Sequence, residues 1–253
     1  MKKKTILILL LAAVFPSFLA AQNVQQILDE ADRSFELDGL YSESTLTVYK
    51  NGKPQAPQVM EGYQLNDSNG TARSLSIFKD PPRVSGTAYL MLGDDLWVRF
   101  ASTGRIRKLS SSAKKNSAAG SDFSYADMGE GGDSFTNDYS PVLEGSEKIN
   151  GEDCYKIVLS PANREAVYEK MIAWVSKGDK RYLKVEYYDK GAAVKYMTLE
   201  DYQEIGGVYY PNRVTMTSLT KKSESVVETT FIEYDSSRVQ EHFFSTSYLE
   251  SIR

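Results

Sequence analysis

Histidine and cysteine are almost missing. The 253 residues hold one of each, His242 and Cys154. A single imidazole excludes a His-based metal centre and a paired-histidine acid/base site. A single thiol excludes an internal disulfide and a cysteine zinc site. The chain also lacks a Gly-x-Ser-x-Gly nucleophile elbow, a Walker A loop and a Gly-x-Gly-x-x-Gly fingerprint, so no motif speaks for those chemistries. A basic excess is missing too: 30 Lys+Arg face 34 Asp+Glu, the wrong balance for a nucleic-acid binder. No linker rich in Pro, Gly or Ser divides the chain, and no repeat of fixed period runs through it.

One long apolar run is present, at the N-terminus. Lys2, Lys3 and Lys4 precede a nearly unbroken apolar stretch over residues 6–18, and Ala20 and Ala21 follow it. This order of charge, apolar core and small residues predicts a cleaved secretory signal peptide over residues 1–21. The run is shorter than the roughly 20 residues of a membrane span. Processing would remove three lysines and leave 27 basic against 34 acidic residues, a net charge of −7. The mature chain, residues 22–253, then reads as one exported, soluble domain. Cys154 reads as a buried small apolar residue.

Residues 22–35 show helical spacing in Val24, Ile27, Leu28, Ala31 and Phe35, with Asn23 as N-cap. Beyond Leu40 the pattern changes to short β-like runs: residues 44–49, 72–78, 87–92, 96–100, 105–109, 144–149, 154–159, 171–175, 182–188, 194–202, 208–210, 213–219 and 226–234. Asn51-Gly52 and Asn150-Gly151 are hairpin turn signals. More than ten closely spaced strands predict a mainly β fold: a half-open, strongly curved antiparallel β-barrel with an N-terminal helix and a short helical lid.

Residues 110–138 break the pattern. They are rich in Ser, Gly, Ala, Lys and Asp. A short helix is expected over residues 121–128, N-capped by Ser121, anchored by Phe123, Tyr125 and Met128 and ended by Glu130-Gly131-Gly132. A long insertion of this kind in a compact domain is usually functional. The acidic residues 127–138 do not follow EF-hand spacing, and neither a metal nor a cofactor is expected. Arg105, Arg107 and Lys108, with Lys114 and Lys115, form a basic cluster in an acidic chain. It reads either as a solvated strand end or as a contact for an anionic headgroup. Tyr89 to Leu92 and Leu96 to Phe100 carry large apolar groups on both faces of one hairpin. Such a hairpin is covered on both faces, or it lines a cavity with one of them.

Residues 78–90 (FKDPPRVSGTAYL), 95–100 (DLWVRF), 105–109 (RIRKL) and 120–125 (GSDFSY), taken in that order, resemble the LolA-like family of outer-membrane lipoprotein-sorting proteins. The Asn150-Gly151 hairpin and the closing Phe244-Ser245-Thr246 are similar as well. The resemblance implies a periplasmic carrier whose half-open barrel shields the acyl chains of lipoproteins or other lipids and helps sort them to the outer membrane. It implies an inner-membrane transporter and an outer-membrane acceptor as partners, and no catalytic residue. The lid would be residues 110–138. The cavity candidates are Tyr89, Met91, Leu96, Val98, Phe100, Phe123 and Tyr125. The headgroup-contact candidates are Arg105, Arg107 and Lys108.

Two other functions fit the same residues. A lipid-acting hydrolase would need His242, the lone imidazole, beside a Ser, or a pair of carboxylates facing the cavity. A non-enzymatic envelope interaction module would have a filled barrel.

Overall fold

A computed structural model describes residues 15–35, 37–129 and 138–252. Among the described residues, fourteen β-strands form one antiparallel sheet. They are β1 (Leu40–Lys50), β2 (Lys53–Pro54), β3 (Gln58–Asn66), β4 (Ala72–Asp80), β5 (Ala88–Leu92), β6 (Asp95–Arg99) and β7 (Ile106–Lys108). The second half supplies β8 (Tyr139–Ile149), β9 (Glu152–Pro161), β10 (Lys170–Ser176), β11 (Tyr182–Asp189), β12 (Ala192–Ile205), β13 (Val208–Ser218) and β14 (Ser223–Glu233). The helices are α1 (Phe15–Asp32), α2 (Ser111–Lys114), α3 (Tyr125–Gly129) and α4 (Thr246–Ser251), with 3-10 turns at Arg33–Phe35 and Glu241–Phe243.

The strand order is β7-β6-β5-β4-β3-β1-β14-β13-β12-β11-β10-β9-β8, with β2 added to β1. The first half of the chain therefore builds outward from β1 to the β7 edge. The second half starts at the opposite edge, β8, and returns until β14 pairs with β1 from Tyr41↔Glu233 to Lys50↔Ser223. The β7 and β8 edges do not pair, so the barrel stays open. Residues 109–138 connect those two edges, and none of the described ones belongs to a strand of the sheet. Register shifts in β1/β14, β3/β4, β8/β9, β10/β11 and β11/β12 supply bulges, and bulges increase local twist and bending.

The expected hairpin turns form. Asn51 and Gly52 sit at φ 51° and 74°, Asn150 and Gly151 at φ 50° and 89°, the paired positive φ of a type I′ turn. The short runs at 208–210 and 213–219 are one strand, β13. β3 has no counterpart among the expected strands.

Two helical boundaries differ from expectation. α1 spans Phe15–Asp32, so Asn23 lies inside it rather than at its N-terminus. The helix expected over residues 121–128 is the shorter α3, Tyr125–Gly129, and the hydrogen bonds at its start make Ser124 its N-cap. Ser124 Oγ accepts from the Asp127 N–H at 3.2 Å, and the Asp127 carboxylate accepts from the Ser124 N–H at 2.5 Å. This reciprocal pair is a capping box. Ser121 instead donates to the Ala118 carbonyl at 2.7 Å. The expected stop at Glu130-Gly131-Gly132 lies outside the described residues.

The hairpin with two apolar faces is covered on both sides. Tyr89, Met91, Leu96 and Val98 point into the main core with Val24, Ile27, Leu28 and Ala31 of α1. Leu75, Ile77, Ala88 and Leu90 point outward and are buried under Phe244, Leu249 and Ile252 of the C-terminal segment. A third cluster on β9 to β11 encloses Cys154, which is fully buried. Burial pushes its thiol pKa up, as befits a packing residue.

Arg73 of β4 clamps that C-terminal segment, donating to both carboxylate oxygens of Glu241 at 2.6 and 2.9 Å. The Arg73 hydrogen bonds hold the Glu241 carboxyl below its ordinary value of 4.5. A carboxyl depressed in the folded state adds stability above its unfolded pKa and loses it as pH falls through its folded value. Melting temperature of the intact protein should therefore drop as pH falls below about 4.5. Glu241→Gln should flatten that drop. An unchanged acid limb in the variant would sink this assignment.

Candidate functional site

A cavity of about 200 Å³ lies inside the curved sheet. Its apolar wall comes from Phe35, Met60, Tyr182, Tyr187, Met197, Leu199, Val214 and Val227, with Phe123 and Met128 contributed by the connecting segment. Strand register builds this wall. Leu199 stands opposite Val214, Val214 opposite Val227, and Val227 opposite Leu46. These four inward side chains cross β12, β13, β14 and β1 in one row.

The remaining wall is mostly polar: Ser42, Ser44, Gly62, Gln64, Ser74, Ser76, Tyr210 and Thr229, with Glu61, Tyr63, Asp127 and Pro211 completing the lining. Ser76 pairs with Gly62 and Gly62 with Ser42 across β4, β3 and β1, while Ser74 pairs with Gln64. A Cβ at Gly62 would meet Ser42 Oγ at 2.6 Å, so glycine is what lets the Ser42 hydroxyl stand there. Ser44 and Thr229 hydroxyls are 3.3 Å apart. Burial raises the Tyr210 hydroxyl pKa, against hydrogen bonds with Thr229 and Ser42.

The connecting segment closes over this space, and several contacts hold it there. Gln58 donates to the Ala119 carbonyl at 3.1 Å. Asp122 accepts from Ser223 and Ser225 of β14 at 2.6 and 2.7 Å. Asp127 of α3 makes an ion pair with Lys195 of β12 and accepts from Tyr168 Oη at 3.2 Å. The side chains of Asp127 and Lys195 are 2% and 10% exposed, so this pair is almost wholly withdrawn from water. Lys195 Nζ also lies 5.1 and 4.9 Å from the Tyr168 and Tyr187 ring centres. Cation–π contacts of that length are attractive. At the other end of the cavity, Tyr182 donates to Asp32 of α1 at 2.7 Å. Burial and the adjacent Asp32 push the Tyr182 pKa far up, so it stays a donor.

Of the residues picked out in the sequence, Phe123 lines the cavity. Tyr89, Met91, Leu96 and Val98 are buried in the inner core beside it. Phe100 and Tyr125 are partly buried against the same core, and Tyr125 meets the Tyr89 ring edge-on at 5.6 Å. Arg105, Arg107 and Lys108 are exposed on and beside the β7 edge. Lys108 there is paired with Asp95 at 2.6 Å. His242 is on the outer, C-terminal segment, its ring 4.7 and 5.6 Å from those of Phe243 and Tyr248. The wall residues on β1, β3, β4, β13 and β14 were not singled out, because a serine or glutamine in a strand carries no apolar signal. Their clue is inverse: Ser42, Ser44, Gly62, Gln64, Ser74 and Ser76 fill alternate positions where a packed core would place Val, Ile or Leu.

Among the described residues, no helix is long and apolar enough to cross a membrane, and no cluster of His, Cys, Asp and Glu is arranged to hold a metal.

A family model described as an uncharacterized protein matches residues 70–251. Solved structures extend the likeness over nearly the whole chain. A domain assigned to outer membrane lipoprotein sorting in Vibrio parahaemolyticus aligns with 91% of this chain and 99% of its own, at TM-score 0.80 and 24% identity. A DUF1329 family protein from Desulfovibrio piger aligns over the same shares at TM-score 0.81 and 25% identity. A LolA superfamily protein from Nitrosomonas europaea aligns with 89% of this chain and 98% of its own, at TM-score 0.73 and 25% identity. No curated protein matches the sequence.

Proposed function

Because this chain belongs to the LolA-like superfamily, we propose that it is an exported, periplasmic carrier. It shields the acyl chains of lipoproteins or other lipids from water and helps sort them to the outer membrane. The observation that carries this reading is the cavity beneath the segment bridging the two unpaired sheet edges. A filled barrel, as an interaction module would have, needs no such space. Each CH₂ taken from water is worth about 0.8 kcal/mol, so an apolar wall suffices to hold a chain without any reactive group.

The cavity as it stands, about 200 Å³, is below the roughly 300–1,000 Å³ of ordinary ligand sites. Loading therefore calls for movement of the bridging segment. Among the described residues the lid is the stretch around α2 and α3; the rest of the expected lid, residues 130–137, lies outside them. Arg105, Arg107 and Lys108 stand at the adjacent β7 edge, placed to meet an anionic headgroup left outside. Residues 1–21 serve as the signal peptide. Cleavage there leaves residues 22–32 of α1, with Val24, Ile27, Leu28 and Ala31 still in the core. An inner-membrane transporter and an outer-membrane acceptor are the partners such a shuttle requires. Of the two arrangements a hydrolase would need, His242 is not among the cavity residues, and the carboxylates that are, Glu61 and Asp127, are held in ion pairs by Lys79 and Lys195.

Native mass spectrometry with lipid extraction, on mature protein purified from its own envelope, tests this. Intact lipid or lipoprotein at near one-to-one ratio is the expected result. Protein that is free of lipid, and takes up none when offered, would overturn the carrier reading. Lysolipid with free fatty acid would replace it with hydrolysis.

A further inference from the structure

The cavity is two-faced, and its polar face has no part in holding hydrocarbon. Seven hydrogen-bonding side chains, Ser42, Ser44, Gln64, Ser74, Ser76, Tyr210 and Thr229, occupy one wall. Burying such groups is costly unless they find partners. Some do: Ser44 with Thr229, Tyr210 with Thr229 and Ser42. Gln64 Oε1 does not. It is sealed from solvent and has no partner among the described residues, while lining the cavity beside that wall. At the next inward position of β3, Gly62 lacks the Cβ that would take the room of Ser42 Oγ. Among the described lining residues there is no Lys or Arg. The charged residues of the lining, Glu61 and Asp127, are already paired with Lys79 and Lys195, so what faces a ligand is a set of neutral donors and acceptors with no free counter-charge for a phosphate.

We infer that this wall is a subsite for the neutral linker of the cargo: the ester or amide carbonyls and hydroxyl where acyl chains join the headgroup. The inference rests on the carrier reading and adds to it. The acyl chain lies against Leu199, Val214 and Val227, and the linker turns toward Gln64 and Ser76. The charged part of the headgroup stays outside. The cargo enters linker-deep, and plain hydrocarbon is discriminated against because it leaves the wall unpaired. A site built for hydrogen bonds rejects an analogue lacking them more strongly than an apolar site rejects a missing methylene.

The test compares monomyristoylglycerol with tetradecane, as competitors of a fluorescent fatty-acid probe bound to the mature protein. Wild type should prefer the glyceride by at least tenfold. Gln64→Leu with Ser76→Ala should cut glyceride affinity by about tenfold and leave tetradecane binding unchanged or tighter. The melting temperature of the variant should hold or rise, since a buried unpaired acceptor is removed. Equal loss for both ligands, or undiminished glyceride binding, would overturn the subsite. Wild type that binds both uncharged ligands equally sinks the subsite alone; wild type that binds neither ligand sinks the carrier reading with it.

Discussion

Replacing Lys195 with methionine should destabilise the protein by about 3–5 kcal/mol, read as a shift in the urea midpoint. Methionine keeps most of the length and apolar body of lysine, so little packing changes. What changes is the partner of Asp127. Its side chain is 2% exposed, and without Lys195 it keeps only the Tyr168 hydroxyl and the Ser124 N–H. A carboxylate left that deep without a counter-charge is the costly outcome of breaking a buried pair. Asp127→Asn together with Lys195→Met removes both charges and should recover most of the loss. A single variant costing under about 1 kcal/mol would mean that the pair is solvated like a surface bridge, and the picture of a pinned α3 would fall.

The same pair bears on release. α3 is one turn long and its own hydrogen bonds are too few to hold it. Its position comes from the capping box, from Phe123 and Met128 in the cavity wall, and from Asp127 on Lys195. Removing both charges weakens the anchor without leaving a buried ion, so the double variant should exchange bound lipid faster at nearly normal stability.

How much of this was legible in the sequence depends on what each strand faces. β5 and β6 were plain to see, because Tyr89, Met91, Leu96 and Val98 face a packed core on one side and Leu90 faces the C-terminal segment on the other. The Asn-Gly turns were equally plain, since few residues other than Asn and Gly tolerate two successive positive φ values. β3 was illegible, and the cavity is the reason. Its inward positions are Met60, Gly62 and Gln64; all three line the cavity, and only Met60 carries an apolar side chain. β1 reads as a strand only from Ser44 on, because Ser42 carries no apolar signal at the same wall. The strongest apolar pattern thus marks where the barrel is filled, and the weakest marks where it is hollow. That is why Tyr89, Met91, Leu96 and Val98 pack beside the cavity while serines line it. A local mismatch between strand pattern and core position is itself a pointer to a site.

Filling the hollow is the most direct way to separate a carrier from a packed barrel. Val214→Trp places an indole in the row Leu199–Val214–Val227–Leu46, at the centre of the apolar wall. In a close-packed core such an enlargement costs about 1–3 kcal/mol, often more, through forced rotamers and backbone shifts. Into a space of about 200 Å³ it should cost less than about 1 kcal/mol, since the ring gains contacts where there were none. Lipid binding should fall much further. The indole takes the volume of the acyl chain, and uptake of the fluorescent fatty probe should drop by more than tenfold. Calorimetry and probe titration on the same sample give both numbers. A Trp variant that melts normally and no longer loads lipid is what a carrier predicts. One that loads normally puts the cargo elsewhere on the molecule. One that is destabilised as a core variant would be shows that the space is not there in solution. The three results differ because hollow and filled barrels make opposite demands on one side chain: a hollow accommodates it and loses its ligand, whereas a filled core rejects it and has no ligand to lose.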